Sequence, residues 1–80
     1  QRQAEQGNSY AHYQMGLAYN HGLGVPQDDL MAYVHINVTA AHVYGRERDD
    51  LVDLRDRLKE NLSSADISRA NEILRLKYQI

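Results

Sequence analysis

Four histidines are the residues of this chain that could in principle bind a metal ion. A helical zinc site needs ligands three or four positions apart, so that both ring nitrogens reach one ion. His35 and His42 are seven positions apart and His12 and His21 are nine apart, so neither pair has this spacing. Cysteine, the other common zinc ligand, is absent. The sequence therefore predicts no metal site, and we interpret the histidines as surface or packing residues.

Serines, aspartates and a glycine-rich loop are the other candidates for chemistry. Ser63 and Ser64 stand where a hydroxyl caps a helix, which explains them without a nucleophilic role. The loop at residues 22–24 leaves a helix rather than a strand and lacks the Lys-Ser/Thr of a phosphate-binding loop. First helical turns and a solvated helix face account for the aspartates Asp28, Asp29, Asp49, Asp50, Asp53 and Asp56. We therefore expect no enzyme activity and no cofactor.

The charge balance limits the classes of partner. The 80 residues contain 9 Lys plus Arg and 11 Asp plus Glu, which gives a net charge of −2 with neutral histidines. This balance argues against nucleic acid, since nucleic-acid-binding domains usually carry a basic excess. No apolar run approaches the roughly 20 residues that a transmembrane helix needs, so we expect no membrane insertion. The first residue, Gln1, indicates a processed or excised piece.

The periodicity of the apolar residues predicts four helices, at about residues 8–21, 29–43 and 46–61 and from Ser63 onward. Asn8 or Ser9 is the predicted N-cap of the first helix, and Asp28 that of the second. Ser63 and Asp66 have the spacing of a capping box. Short connections between four helices make antiparallel helical hairpins, so the predicted fold class is all-α. The predicted core faces are Ala11, Met15, Ala18 and Tyr19; Tyr33, Ile36, Ala40 and Val43; Leu51, Leu54 and Leu58; and Ile67, Ala70, Ile73, Leu74 and Leu76.

The first half of the chain also carries a motif of small residues, aromatic residues and glycines at fixed spacing. Its members are Ala11, Met15, Gly16, Tyr19, Gly22, Gly24, Val25, Asp28, Ala32, Ala40 and Ala41. This pattern closely resembles the Sel-one-like repeat, a subclass of tetratricopeptide-like helix pairs. The resemblance implies an α/α solenoid in which small residues, Gly16 among them, let two helices cross closely. His35 departs from the pattern, because the family commonly has a tryptophan or another aromatic residue there.

The resemblance also implies a division of the chain. Residues 1–45 correspond to one helix-pair repeat together with the end of a preceding repeat, and residues 4–8 resemble the junction between the two. Residues 46–80 correspond to the helix pair that often closes such arrays. With one complete repeat and a closing pair, the chain looks like the end of a longer array, whose stability comes from stacked neighbours.

A non-catalytic scaffold or adaptor that binds a protein or peptide is the function that the resemblance implies. At 100° per residue, a stripe on the first helix lies about 155° from the predicted core face. Its members are Tyr10, Tyr13, Leu17 and Asn20. Either a preceding repeat covers this stripe or it lines a groove for a partner segment. Two alternatives stay open: a terminal helical cap of a longer enzyme or regulatory protein, and a homodimer through exposed stacking faces.

Overall fold

The computed structural model describes the backbone of residues 2–80 and the side chains of residues 9–80. This part of the chain forms four α-helices: α1 (Arg2–His21), α2 (Asp29–Ala40), α3 (Gly45–Glu60) and α4 (Ser64–Ile73). A π-helical stretch, Leu74–Tyr78, continues α4 and is called the π segment below. No strand occurs in residues 2–80, so the predicted all-α class is confirmed for them.

The second helix is the centre of the fold. α1, α3, α4 and the π segment all pack against it. Eight of its 12 residues are buried, and Val34 and Ile36 are its largest fully buried side chains. The neighbouring helices add Leu51, Leu58, Ala70 and Leu74 to the same core. The predicted core faces of the second, third and fourth helices are therefore largely confirmed.

Two helix starts follow from side-chain caps that the sequence predicts. The Asp28 carboxylate accepts a hydrogen bond from the Met31 amide at 3.1 Å and caps α2. The Ser63 hydroxyl accepts one from the Asp66 amide at 3.0 Å and caps α4. Each oxygen satisfies an amide that has no partner within the first turn of its helix.

Three predicted boundaries are wrong. α1 runs from Arg2, so Asn8 and Ser9 lie inside the helix and neither is its N-cap; the side chain of Asn8 lies outside the described residues. The early turns contain Ala, Glu, Gln and Arg, which favour helix strongly enough to extend it. α2 ends at Ala40 rather than at residue 43. The sequence predicts that Tyr44 and Gly45 end the second helix, but Gly45, with φ +69°, instead begins α3.

The predicted core face of α1 is correct only in part: Tyr19 packs against the core and Ala18 is half-buried, but the other two residues are not buried. Ala11 and Met15 are exposed, whereas Ser9 and Gly16 are buried and His12 is half-buried. At 100° per residue, the observed buried face lies about 110° around the helix from the predicted one. Polar groups lie on this face because they have partners in α2. The Thr39 hydroxyl, for example, donates a hydrogen bond to the Ser9 carbonyl at 3.2 Å.

One residue at the end of the chain differs from its prediction for a geometric reason. Leu76 is 68% exposed, although the helical pattern places it with the core residues of α4. It lies in the π segment, where the backbone turn is wider than in an α-helix and the side chains shift to new directions. Leu74 and Tyr78, four residues apart, pack against the core instead.

Candidate functional site

The crossing of α1 and α2 sets the positions of all the candidate residues on α1. A Cβ atom added at Gly16 would lie 2.7 Å from Cδ1 of Ile36, closer than side chains pack. Only glycine fits between the helices at this point without a shift of Ile36. The close approach that the motif predicts at Gly16 is therefore present.

The remaining motif residues divide into loop, cap and core positions. Gly22 and Gly24 have φ of +67° and +79°, which glycine adopts without strain, so they form the reversal after α1. Ala32 and Ala40 are buried in α2, and Ala41 is its exposed C-cap. Tyr19 and Val25 are half-buried, Asp28 is the N-cap of α2, and Ala11 and Met15 are exposed.

A cluster of aromatic and imidazole rings fills the space between α1, α2 and the π segment. It consists of His12, His35, Tyr19 and Tyr78 and is called the histidine cluster below. The Nδ1 atoms of His12 and His35 lie 2.7 Å apart, and their rings stack with centroids 5.0 Å apart. Tyr19 stacks on His35 at 5.7 Å, with ring planes 5° apart. Tyr78 meets His12 edge-on at 5.2 Å. The cluster joins both ends of the described chain through α2.

Both histidines of the cluster are neutral at pH 7. Burial, with smaller effects from His12 and Lys77, lowers the pKa of His35 to about 4. Burial also lowers the pKa of His12, with smaller effects from His42 and Lys77. In this state the protonated Nδ1 of one ring donates a hydrogen bond to the unprotonated Nδ1 of the other ring. Two protonated rings would both be donors, so the contact excludes double protonation.

The rings of the histidine cluster pack against one another. Among the described residues, no three His, Cys, Asp or Glu side chains come together in a way that could hold a metal ion. The ring of His35 stacks on Tyr19 as an aromatic ring does. The pairing with His12 was not predicted, because the two positions are 23 residues apart.

A second cluster lies on the other flank of α1, where it faces α3. Tyr10 and Tyr13 of α1 and Glu47, Asp50 and Leu51 of α3 line an open cavity of about 350 Å³, called the tyrosine pocket below. Each helix contributes residues three or four positions apart, which share one helix face. Leu51 is 8% exposed and forms an apolar part of the wall, whereas Tyr10 is 67% exposed at the rim.

Of the four residues of the predicted groove, two line this pocket and two do not. Tyr10 and Tyr13 line it, and Tyr13 also packs against the core. Leu17 and Asn20 are half-buried farther along α1 and do not line it. Sequence reasoning missed the contribution of α3 because that contact is not local. The available signal was Glu47 and Asp50 at helical spacing beside Leu51.

Two larger cavities lie on the α4 side of the molecule. One, of about 790 Å³, is lined by Asn37, Arg69, Glu72 and Arg75 among others. The other, of about 490 Å³, lies beside the start of α2 and includes Asp28 and Asp66. Both mix cationic and anionic side chains and open widely to solvent. Of these three cavities, the tyrosine pocket is the one that combines aromatic rings with charge of one sign.

No protein-family model matches the chain, and no curated protein or solved structure is significantly similar to it. The resemblance to the Sel-one-like repeat therefore remains a prediction that depends on the motif residues. Within residues 2–80, no helix combines the length and the apolar composition needed to cross a membrane.

Proposed function

We propose that this chain is a non-catalytic protein–protein interaction module of the Sel-one-like, tetratricopeptide-like repeat type. It binds a protein or peptide segment along the stripe of α1 that begins at the tyrosine pocket. The observation that carries the proposal is the pocket itself, in which two tyrosines of α1 meet a buried leucine of α3.

The residues of the repeat motif support the repeat type. Gly16 lies at a close helix crossing, Gly22 and Gly24 adopt left-handed backbone conformations, and Asp28 caps α2. These are the roles that a helix–loop–helix repeat requires of a small residue, a reversal and a cap. In this proposal residues 1–45 form the last repeat of an array, and residues 46–80 close it.

The composition of the tyrosine pocket supports a binding role. Tyrosine is enriched at the energetic centres of interfaces, because its ring buries a large area and loses little conformational freedom. Tyr10 keeps two thirds of its surface in water although its ring lies beside a cavity wall. A partner side chain that enters the pocket would cover both rings and gain this apolar contact.

Selection of a displayed random-peptide library on the 80-residue chain tests the proposal. We expect Tyr10→Ser to weaken the selected peptides about fivefold or more, as loss of a central interface residue does. Tyr44→Ser is the matched control, since Tyr44 is 82% exposed and does not line the pocket. Equal binding by the two variants, or a selection that yields no binding peptide, would contradict the proposal.

Self-association is a second candidate, favoured by the exposed flank of α1. Ala11 and Met15 belong to the repeat motif, yet both are exposed, and Met15 keeps 37% of its surface in water. A second copy could cover this flank in place of a preceding repeat. Light scattering across a concentration range would then show a dimer that Met15→Lys dissociates. A monomer at every concentration would exclude this candidate.

A further inference from the structure

We propose that the tyrosine pocket takes one basic side chain, arginine or lysine, from the bound partner segment. This inference builds on the proposed interaction function and names the chemistry of the partner. It depends on the arrangement of three kinds of surface in one cavity: an apolar wall, two phenol rings and two carboxylates.

The apolar wall and the rings suit the stem and the head of a basic side chain. Leu51, which is nearly buried, offers apolar surface to the methylene groups of lysine or arginine. The faces of Tyr10 and Tyr13 attract a cation, because the ring quadrupole places negative potential above the plane. An aliphatic side chain could also pack on the wall and the rings, but only a cation gains the additional electrostatic attraction of the ring faces.

The carboxylates give the pocket its charge preference. Glu47 and Asp50 lie about one helical turn apart on α3, on the face that Leu51 shares. Among the described side chains the ion pair is Arg55–Asp56, which involves neither of them. Neither carboxylate forms an ion pair with a described side chain, and their charge is complementary to that of an incoming cation. An acidic side chain would be repelled.

The two carboxylates differ in what else they do. Glu47 lies in the first turn of α3, where the helix dipole already stabilises a negative charge. Asp50 lies a turn later and is exposed, so its charge is the better one to remove in a test. Asp53 is also exposed on α3 but does not line the pocket, which makes it the matched control.

Titration of the ¹⁵N-labelled 80-residue chain with capped Gly-Gly-X-Gly-Gly peptides tests the inference by NMR. With X as arginine or lysine, we expect saturable shifts at Tyr10, Tyr13 and Asp50 that weaken at high salt. With X as norleucine, which keeps the stem without the charge, binding should be several-fold weaker, and with X as glutamate it should be absent. Norleucine binding equal to that of lysine would overturn the inference.

The variants locate the effect on the pocket. Asp50→Asn should weaken binding of the arginine peptide about two- to fivefold, the range of an exposed ion pair. Asp53→Asn should leave it unchanged, and circular dichroism of both variants checks that α3 is intact. Equal weakening by the two variants would mean that only the overall charge of the helix acts, and the inference would fail.

The peptides from the library selection separate this inference from the proposed function. If they lose binding on Tyr10→Ser but contain no arginine or lysine, the interaction function stands and the basic-side-chain inference is wrong. If Tyr10→Ser and Tyr44→Ser bind them equally, the proposed site fails and the inference fails with it. Enrichment of arginine or lysine, lost on Asp50→Asn, supports both.

Discussion

Two sides of α1 use aromatic and imidazole rings in different ways. Towards α2, His12 joins the histidine cluster, where rings of α1, α2 and the π segment stack on one another. Towards α3, Tyr10 and Tyr13 line a cavity that is open to water. The first set has its partners within the chain, whereas the second leaves ring surface available to a partner.

On α1, the neighbours of a ring determine its role more than its polarity does. The imidazoles of His12 and His35 are more polar than a phenol ring, yet they are the more enclosed because each satisfies the other's Nδ1. Tyr10 is more apolar but stays exposed, and the α3 residues that line the same pocket include two exposed carboxylates. The side of α1 that faces α2 is called the inner side below, and the side that faces α3 the outer side. The variants test whether residues of the inner side determine stability and residues of the outer side determine binding.

Gly16→Leu should have the largest effect on stability. Its side chain would meet Ile36, whose Cδ1 lies 2.7 Å from an added Cβ, and would push α1 away from α2. We expect a loss of about 1–3 kcal/mol in the free energy of unfolding. Chemical denaturation followed by circular dichroism measures it. Ala11→Leu, on the exposed face of the same helix, is the control, with a change within about 0.5 kcal/mol. Equal losses would refute the assignment of the inner side.

Acidification should destabilise the histidine cluster next. The pKa values of His12 and His35 are lowered in the folded state, so the unfolded chain binds more protons below its ordinary histidine pKa of about 6.5. The contribution of the cluster is complete above pH 6.5 and is lost as the pH falls towards about 4. Solvent partly reaches the rings, so we expect a loss of about 1–2 kcal/mol rather than the full value of the shift.

Thermal unfolding of variants between pH 7 and pH 4 attributes this loss. His35→Phe keeps a ring in the stack and removes the titrating nitrogen, so its Tm should fall less on acidification than that of the unchanged chain. His21→Asn removes an exposed histidine of α1 and should follow the unchanged chain. Parallel curves for all three proteins would mean that other groups cause the acid sensitivity.

Tyr13 lies between the two sides of α1, so Tyr13→Ser should have an intermediate effect on stability. Tyr13 is half-buried against the core and also lines the pocket. We expect a loss of about 1 kcal/mol from reduced apolar burial, together with weaker peptide binding. Urea denaturation gives the first quantity and fluorescence anisotropy of a selected peptide gives the second. Loss of helical signal in Tyr13→Ser with Leu17→Ser would place this part of the stripe in the core.

Tyr10→Ser should have the smallest effect on stability. The side chain is 67% exposed, and it does not pack against the buried core cluster. We expect a change within about 0.5 kcal/mol in the free energy of unfolding, with the loss confined to binding. A destabilisation as large as that of Tyr13→Ser would show that the pocket is a structural contact, and the contrast between the two sides of α1 would disappear.

Much of the fold could be predicted because its signals are local. The caps at Asp28 and Ser63 and the leucines of α3 depend on residues within a few positions of one another. The inner face of α1 could not be predicted from hydropathy, because its buried residues include Ser9 and Gly16, which no apolar pattern marks. They are buried because they pack against α2, and this contact depends on the tertiary structure rather than on the local sequence.

The candidate site divides in the same way. Tyr10 and Tyr13 could be selected from their spacing on one helix. Glu47, Asp50 and Leu51 could not be assigned to them, since 34 positions separate Tyr13 from Glu47 and no local rule pairs such residues. The histidine pair was missed for the same reason. For His35 the sequence predicts a surface or packing residue, without a partner ring.

The central position of α2 has a consequence for how the molecule opens. Every other described helix packs against α2, so these contacts shield the backbone amides of α2 from water. Exchange of these amide protons with deuterium requires that the whole assembly come apart, and their exchange rates report the global free energy of unfolding. The first turns of α3 differ, because residues Arg46 to Asp50 are exposed. We therefore expect their amide protons to exchange through smaller, local openings than those of α2.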